Sequence, residues 1–123
     1  MGKEIVVAEN PKSPEAEMFR NLRTNIQFMN ASSEKKVMIV TSTAPGEGKS
    51  YVSGNLAAAF AQLNKKVLLI DTDMRKGRQH VMFNLKAKPG ISNFLSGVVD
   101  QDFIGEKEDI RNYIQETDVE NLY

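Results

Sequence analysis

Val37-Met38-Ile39-Val40-Thr41-Ser42-Thr43-Ala44-Pro45-Gly46-Glu47-Gly48-Lys49-Ser50 runs from an apolar stretch through a glycine-bearing turn into a Lys-Ser pair, and a helical stretch from Tyr51 to Leu63 follows. Strand, glycine loop, Lys-Ser and helix in that order cradle the phosphates of a nucleoside triphosphate. Gly46 and Gly48 let the backbone turn with its N–H groups facing the phosphates. The start of the helix adds unpaired amides and a positive dipole end. Lys49 is expected to place its ammonium on the β- and γ-phosphates, and Ser50 to offer its hydroxyl to Mg²⁺. The full pattern has glycine where this chain has Thr43, so Pro45-Gly46 is expected to supply the tight bend. Ala44, Pro45, Glu47 and Tyr51 flank the glycines, and with Arg75 they complete the expected nucleotide-contacting set.

A second constellation follows one apolar run later. Val67-Leu68-Leu69-Ile70 reads as a parallel strand covered on both faces, and it ends in Asp71-Thr72-Asp73. Asp71 and Asp73 lie two apart, so in extended chain they point the same way. Two such charges repel unless a cation or a proton intervenes. Beside a phosphate loop the natural cation is Mg²⁺, bound through one or two carboxylates plus phosphate oxygens. One of the pair can instead accept the proton of an attacking hydroxyl. Arg75 is placed to brace phosphates or carboxylates.

Bulk composition narrows the field. The 123 residues suit one domain, and 16 acids balance 16 bases, which gives no general bias toward nucleic acid or acidic lipid. One histidine and no cysteine exclude a Cys/His zinc site and disulfides, a composition that suits a reducing cytosol. No apolar run approaches the roughly 20 residues needed to cross a bilayer. Val6 stands where a myristoylation motif wants Ser or Thr. Membrane association is therefore expected to come through a partner.

Ile5-Val6-Val7 reads as a short edge strand, and residues 1–14 as an N-terminal arm and linker. Ser13 and Pro14 suit the cap and first position of a helix over about residues 15–30. Phe19, Leu22, Ile26 and Met29 recur at helical spacing along it. Ala57, Ala58, Ala59 and Ala61 allow close packing of the helix after the glycine loop. Short helical turns are expected at 80–83 and 91–95, a weak strand or helix at 110–114, and a beginning strand at 119–123. Apolar runs alternating with helices indicate an α/β layered structure with a mainly parallel sheet. Glu17, Arg20 and Arg23 share one side of the first long helix, centred away from its apolar face. That side is either a solvated face with Glu–Arg pairing or a contact with a second copy through arginine–carboxylate forks.

Taken together, the segments resemble the bacterial tyrosine kinases that regulate capsule and exopolysaccharide synthesis. The likeness begins at Ser13-Pro14-Glu15-Ala16-Glu17, includes the E-x-x-R-x-x-R signature as Glu17, Arg20 and Arg23, and takes in Pro45 to Ser50 as a Walker A loop. It continues through Leu69 to Arg75 as the Walker A′ motif, then His80, Phe83 and Gly90 to Gly97. Gly77, where such kinases usually carry proline, is a minor departure.

The resemblance implies a P-loop NTPase-like three-layer sandwich that transfers phosphate from ATP to protein tyrosine. Lys49, Asp71 and Asp73 would be catalytic, with Ser50, Asp71 and Asp73 about the metal. Ring oligomers would form through the Glu17/Arg20/Arg23 helix. A separate membrane-spanning co-polymerase adaptor would recruit the cytoplasmic domain to the inner face of the membrane. The family's later apolar strand ending in aspartate and its tyrosine-rich tail do not follow, so the resemblance implies an N-terminal part of such a domain spanning 1–123. Two alternatives stand beside it. One is a nucleotide-binding or oligomerisation module without turnover. The other is a MinD/ParA-like ATPase, against which Ala44 counts, because those proteins carry lysine at the corresponding position.

Overall fold

Ser13 opens the longest helix of the protein, whose computed structural model describes residues 4–29, 36–44, 48–96 and 109–123. The Ser13 hydroxyl accepts the Ala16 N–H at 3.1 Å, and Pro14 takes the first helical position, where its missing N–H costs nothing. Three helices form the framework: α1 (Val6–Glu9), α2 (Pro14–Met29) and α3 (Lys49–Ala61). Two short helices, α4 (Gln79–Met82) and α5 (Ile91–Ser96), follow, then a 3-10 turn at Ile110–Tyr113.

The middle of α3 is buried from Gly54 to Ala59. Its alanines let α2 and α1 approach closely, and Ile5, Val7, Phe19, Met82, Phe83, Val119 and Leu122 close the core around them. A Cβ on Gly54 would meet the Gln79 side chain at 3.0 Å and the Met82 methyl at 3.2 Å, so glycine is what permits that approach.

The N-terminal stretch is a helical turn rather than the expected edge strand. Ile5 and Val7 are fully buried against α3, and Asn55 takes the bonding role a neighbouring strand would have had. Its Nδ2 donates to the carbonyls of Glu4 (2.8 Å) and Tyr51 (2.9 Å), and its Oδ1 accepts the Val7 N–H at 3.2 Å. Gln62 adds a bond from Nε2 to the Val7 carbonyl at 3.2 Å. Side chains of one helix thus satisfy the polar backbone of another segment, which removes the need for a sheet partner.

Extended structure is limited. Val67 pairs in parallel with Leu122. The Val67 N–H donates to Asn121 O at 2.8 Å, Tyr123 N–H to Val67 O at 2.9 Å, and Leu69 N–H to Tyr123 O at 2.8 Å. The stretch expected as a strand at 119–123 is instead a bend and turn with one bridging residue, Leu122. Val67 and Leu69 pack on the core while Leu68 and Ile70 stay half exposed, so this run is covered on one face rather than two. Among the described residues no backbone hydrogen bond joins 37–41 to 67–70, and Val37 and Ile39 are 94% and 88% exposed. Among the described residues the expected mainly parallel sheet is not formed, and the bridge at Val67 and Leu122 stands outside any strand.

The apolar face of α2 is rotated from expectation. Ala16 and Phe19 are buried and Ile26 is half-buried, but Leu22 is exposed and Met29 is 81% exposed. At 100° per residue Arg23 falls between Ala16 and Phe19, on the packed side. Its Nη1 reaches the Ala59 carbonyl in the last turn of α3 at 2.6 Å. Glu17 and Arg20 lie further round the helix. Arg20 bonds Glu17 at 2.8 Å and the Pro11 carbonyl at 2.6 Å. The three residues therefore do not share one outward stripe. A cation at the carbonyl end of α3 also suits the negative end of the helix dipole.

Replacing Asn55 by leucine keeps the volume but strands the Val7 N–H and the Glu4 carbonyl. The expected result is a loss of about 2–3 kcal/mol in unfolding free energy, read in urea denaturation as a lower midpoint with an unchanged slope.

Candidate nucleotide site

Gly48 caps α3 with φ +81°, a left-handed conformation that a side chain would strain. That turn leads directly into Lys49 and Ser50, which form the first helical turn and are half-buried. The Ser53 hydroxyl donates to the Lys49 carbonyl at 2.8 Å, tying the second turn back to the first. Before the turn, the Ser42 hydroxyl bonds the Ala44 carbonyl at 2.9 Å, and Ala44 is exposed. Pro45, Gly46 and Glu47 of the expected loop lie outside the described residues. The Tyr51 ring meets Phe19 of α2 edge-on, with centroids 5.5 Å apart.

The acid pair folds into a tight loop. Asp71 Oδ1 accepts the Asp73 N–H at 3.0 Å and Oδ2 accepts the Gln79 N–H at 3.2 Å. Asp73 Oδ1 accepts the N–H groups of Arg75 (3.2 Å) and Lys76 (2.9 Å). These two amide bonds, that from Lys76 foremost, hold the Asp73 carboxyl below its ordinary value of 3.8, and the Lys49 and Lys76 charges add to the effect. The loop also closes tightly on Gly77, where a Cβ would sit 2.8 Å from both Asp71 Oδ2 and the Asp73 carbonyl. The departure from proline at this position thus has a packing consequence. Arg75 lies exposed on the same loop.

Among the described residues no cluster of three or more His, Cys, Asp or Glu could hold a metal ion. A site for Mg²⁺ does not need one, because this cation commonly takes one or two carboxylates and completes its shell with phosphate oxygens and water. Asp71, Asp73 and the Ser50 hydroxyl are oxygen donors of the kind such a shell uses. A cavity of about 380 Å³ opens beside the acid loop, walled by Asp71, Asp73, Arg75 and Gln79 together with Phe83 and Tyr123. Lys49 and Ser50 do not line it.

Gln79 was not singled out by any motif. It sits eight residues past Asp71 in a stretch read as loops, and only the fold brings it to the start of α3. Its Nε2 donates to the Ser50 carbonyl at 3.0 Å and to Ser53 Oγ at 2.9 Å.

A glycine turn opening a helix with Lys-Ser, linked through Gln79 to an acid pair at the end of a later apolar run, defines a nucleotide-binding domain of the P-loop class. The family model for the CobQ/CobB/MinD/ParA nucleotide binding domain matches residues 38–112, and the chain belongs to that family. CapB of Staphylococcus aureus is 41% identical over 118 residues, which is 96% of this chain and 48% of that protein. The tyrosine-protein kinase YwqD of Bacillus subtilis is 43% identical over 95 residues, which is 77% of this chain and 40% of that protein. The solved BceF tyrosine kinase domain superposes with a TM-score of 0.76 at 35% identity, covering 96% of this chain and 43% of that domain. The chain spans about half the length of the curated relatives it matches. Among the described residues no helix is long and apolar enough to cross a membrane.

A depressed carboxyl adds stability above its unfolded pKa, and that stability is lost as pH falls through the folded value. The Asp73 ¹³Cγ resonance should therefore titrate below 3.8. In Lys49→Met the midpoint should rise but stay below that value, because both amide bonds remain.

Proposed function

We propose that the chain is the nucleotide-binding part of an ATP- and Mg²⁺-dependent protein-tyrosine kinase of capsule and exopolysaccharide systems. One observation carries the reading: Gln79 bonds both Asp71 and the Ser50 carbonyl, which sets the acid loop against the helical turn that opens with Lys49. The relatives add weight, YwqD and the BceF domain being named tyrosine kinases.

In this reading the Gly48–Ser50 turn holds the triphosphate through main-chain amides and the Lys49 ammonium. Mg²⁺, held at Ser50, Asp71 and Asp73, would neutralise charge on the transferring phosphoryl group. The acid pair orients the tyrosine hydroxyl, and one carboxylate accepts its proton as the oxygen bonds phosphorus and ADP leaves. Rate would come mainly from positioning and charge neutralisation. Arg75, exposed on the acid loop, is assigned to the phosphates.

The same reading takes the extended runs 37–41 and 67–70 as members of a mainly parallel sheet within a three-layer sandwich. It takes 1–123 as one part of a single kinase domain. Glu17, 59% exposed at its side chain, and Arg20 are offered to a neighbouring copy in a ring, while Arg23 would have to leave the Ala59 carbonyl to join them. A membrane-spanning adaptor would bring the cytoplasmic domain to the inner membrane face. The family match, whose description includes MinD and ParA, favours a second reading as an ATPase without tyrosine transfer.

The two readings separate in one experiment. Incubated with ATP·Mg²⁺ and a tyrosine-bearing substrate, the chain should form phosphotyrosine, and Lys49→Met should lower the rate at least about a hundredfold. Equal labelling of both proteins overturns the kinase assignment. Phosphate release with no phosphotyrosine favours the ATPase.

A further inference from the structure

We propose that Gln79 is a positioning residue that couples the acid pair to the phosphate-loop helix, so that Asp71 and the Ser50 end of α3 are held as one unit. The inference rests on the nucleotide-binding reading above. Gln79 touches both motifs at once. Its main-chain N–H holds Asp71 Oδ2 at 3.2 Å, while its side-chain amide reaches the Ser50 carbonyl at 3.0 Å and Ser53 Oγ at 2.9 Å. The Ser53 hydroxyl passes the connection on to the Lys49 carbonyl at 2.8 Å. A chain of four hydrogen bonds therefore runs from the metal-side carboxylate to the two residues assigned to phosphate and metal.

Packing alone does not call for glutamine at this position. Among the described residues Gln79 Oε1 is buried without a hydrogen-bond partner, a cost that an apolar side chain of the same length would avoid. The space around it is tight, since a Cβ on Gly54 would lie 3.0 Å from that oxygen. The side chain is thus confined with its two donors aimed at the first turns of α3. Mg²⁺ demands near-ideal octahedral geometry with short bonds, so small errors in the spacing of its ligands weaken it more than they weaken phosphate binding. Gln79 sets that spacing between Asp71 and Ser50.

The test uses the full chain, a fluorescent ATP analogue, and titrations with Mg²⁺ and with EDTA. Gln79→Met keeps the main-chain bond and the side-chain length but removes both side-chain donors. We expect the gain in nucleotide affinity conferred by Mg²⁺ to fall about tenfold, as for the loss of one positioned hydrogen bond. Affinity in EDTA and the melting temperature should stay close to wild type. Ser53→Ala, a milder variant that serves if Gln79→Met does not fold, should lower the same Mg²⁺-dependent gain about threefold. Variants that keep the full gain overturn the proposal, as does an equal loss with and without Mg²⁺ accompanied by a lower melting temperature. If the wild-type chain binds no nucleotide at all, the nucleotide reading falls and takes this proposal with it. If it binds and the variants match it, only the role of Gln79 falls.

Discussion

The structure depends on α3 being gripped along its whole length by polar side chains that act where alanine packing alone would let it slide. A helix faced with alanines offers shallow ridges, so neighbours come close but gain little registration from side-chain interlock. Hydrogen bonds supply the registration. Asn55 holds the N-terminal segment against the middle of α3, Arg23 reaches its last turn from α2, and Gln79 reaches its first turn from α4. Each bond is made away from bulk water, where a lost partner is costly.

The consequence for the site is rigidity at the point where phosphate would bind. Lys49 and Ser50 belong to the same helix that Asn55 and Arg23 anchor, so their backbone is set by the core rather than by the loop before them. The acid pair is organised differently, by short-range amide bonds within its own loop and by the close approach at Gly77. Gln79 ties these two locally ordered pieces together. A cation and carboxylates on pieces joined in this way suit a polyphosphate accompanied by a divalent ion.

The rotation of α2 shows how a correct element can carry an incorrect face. The helix, its Ser13 cap and its extent were legible, because capping and periodicity are local properties. Which stripe faces inward was not. Phe19, Leu22, Ile26 and Met29 suggested one stripe, yet Ala16, Phe19 and Arg23 form the packed one. A small alanine can be buried where the backbones come close, and a long arginine can bury its stem while its head finds a carbonyl. Hydrophobicity alone does not report either preference. Similarly, the β-branched run Ile5-Val6-Val7 suggested a strand, and the carboxamide of Asn55, 48 residues from Val7, overrode that tendency.

What the sequence by itself determined is chemistry tied to short spacing: a turn needing glycine at Gly48, a Lys-Ser pair opening a helix, and two carboxylates two residues apart after an apolar run. Neighbouring residues settle these features, so they survive without knowledge of distant contacts. What only the tertiary structure decided is the set of long-range hydrogen bonds and the faces they select: Asn55 beneath the N-terminal turn, Arg23 on α3 rather than at the surface, and Gln79 between the acid loop and Ser50. These partners lie 29 to 51 residues apart in the chain. Such bonds arise because a buried polar group must find a partner wherever the fold brings one, and no local pattern encodes that meeting.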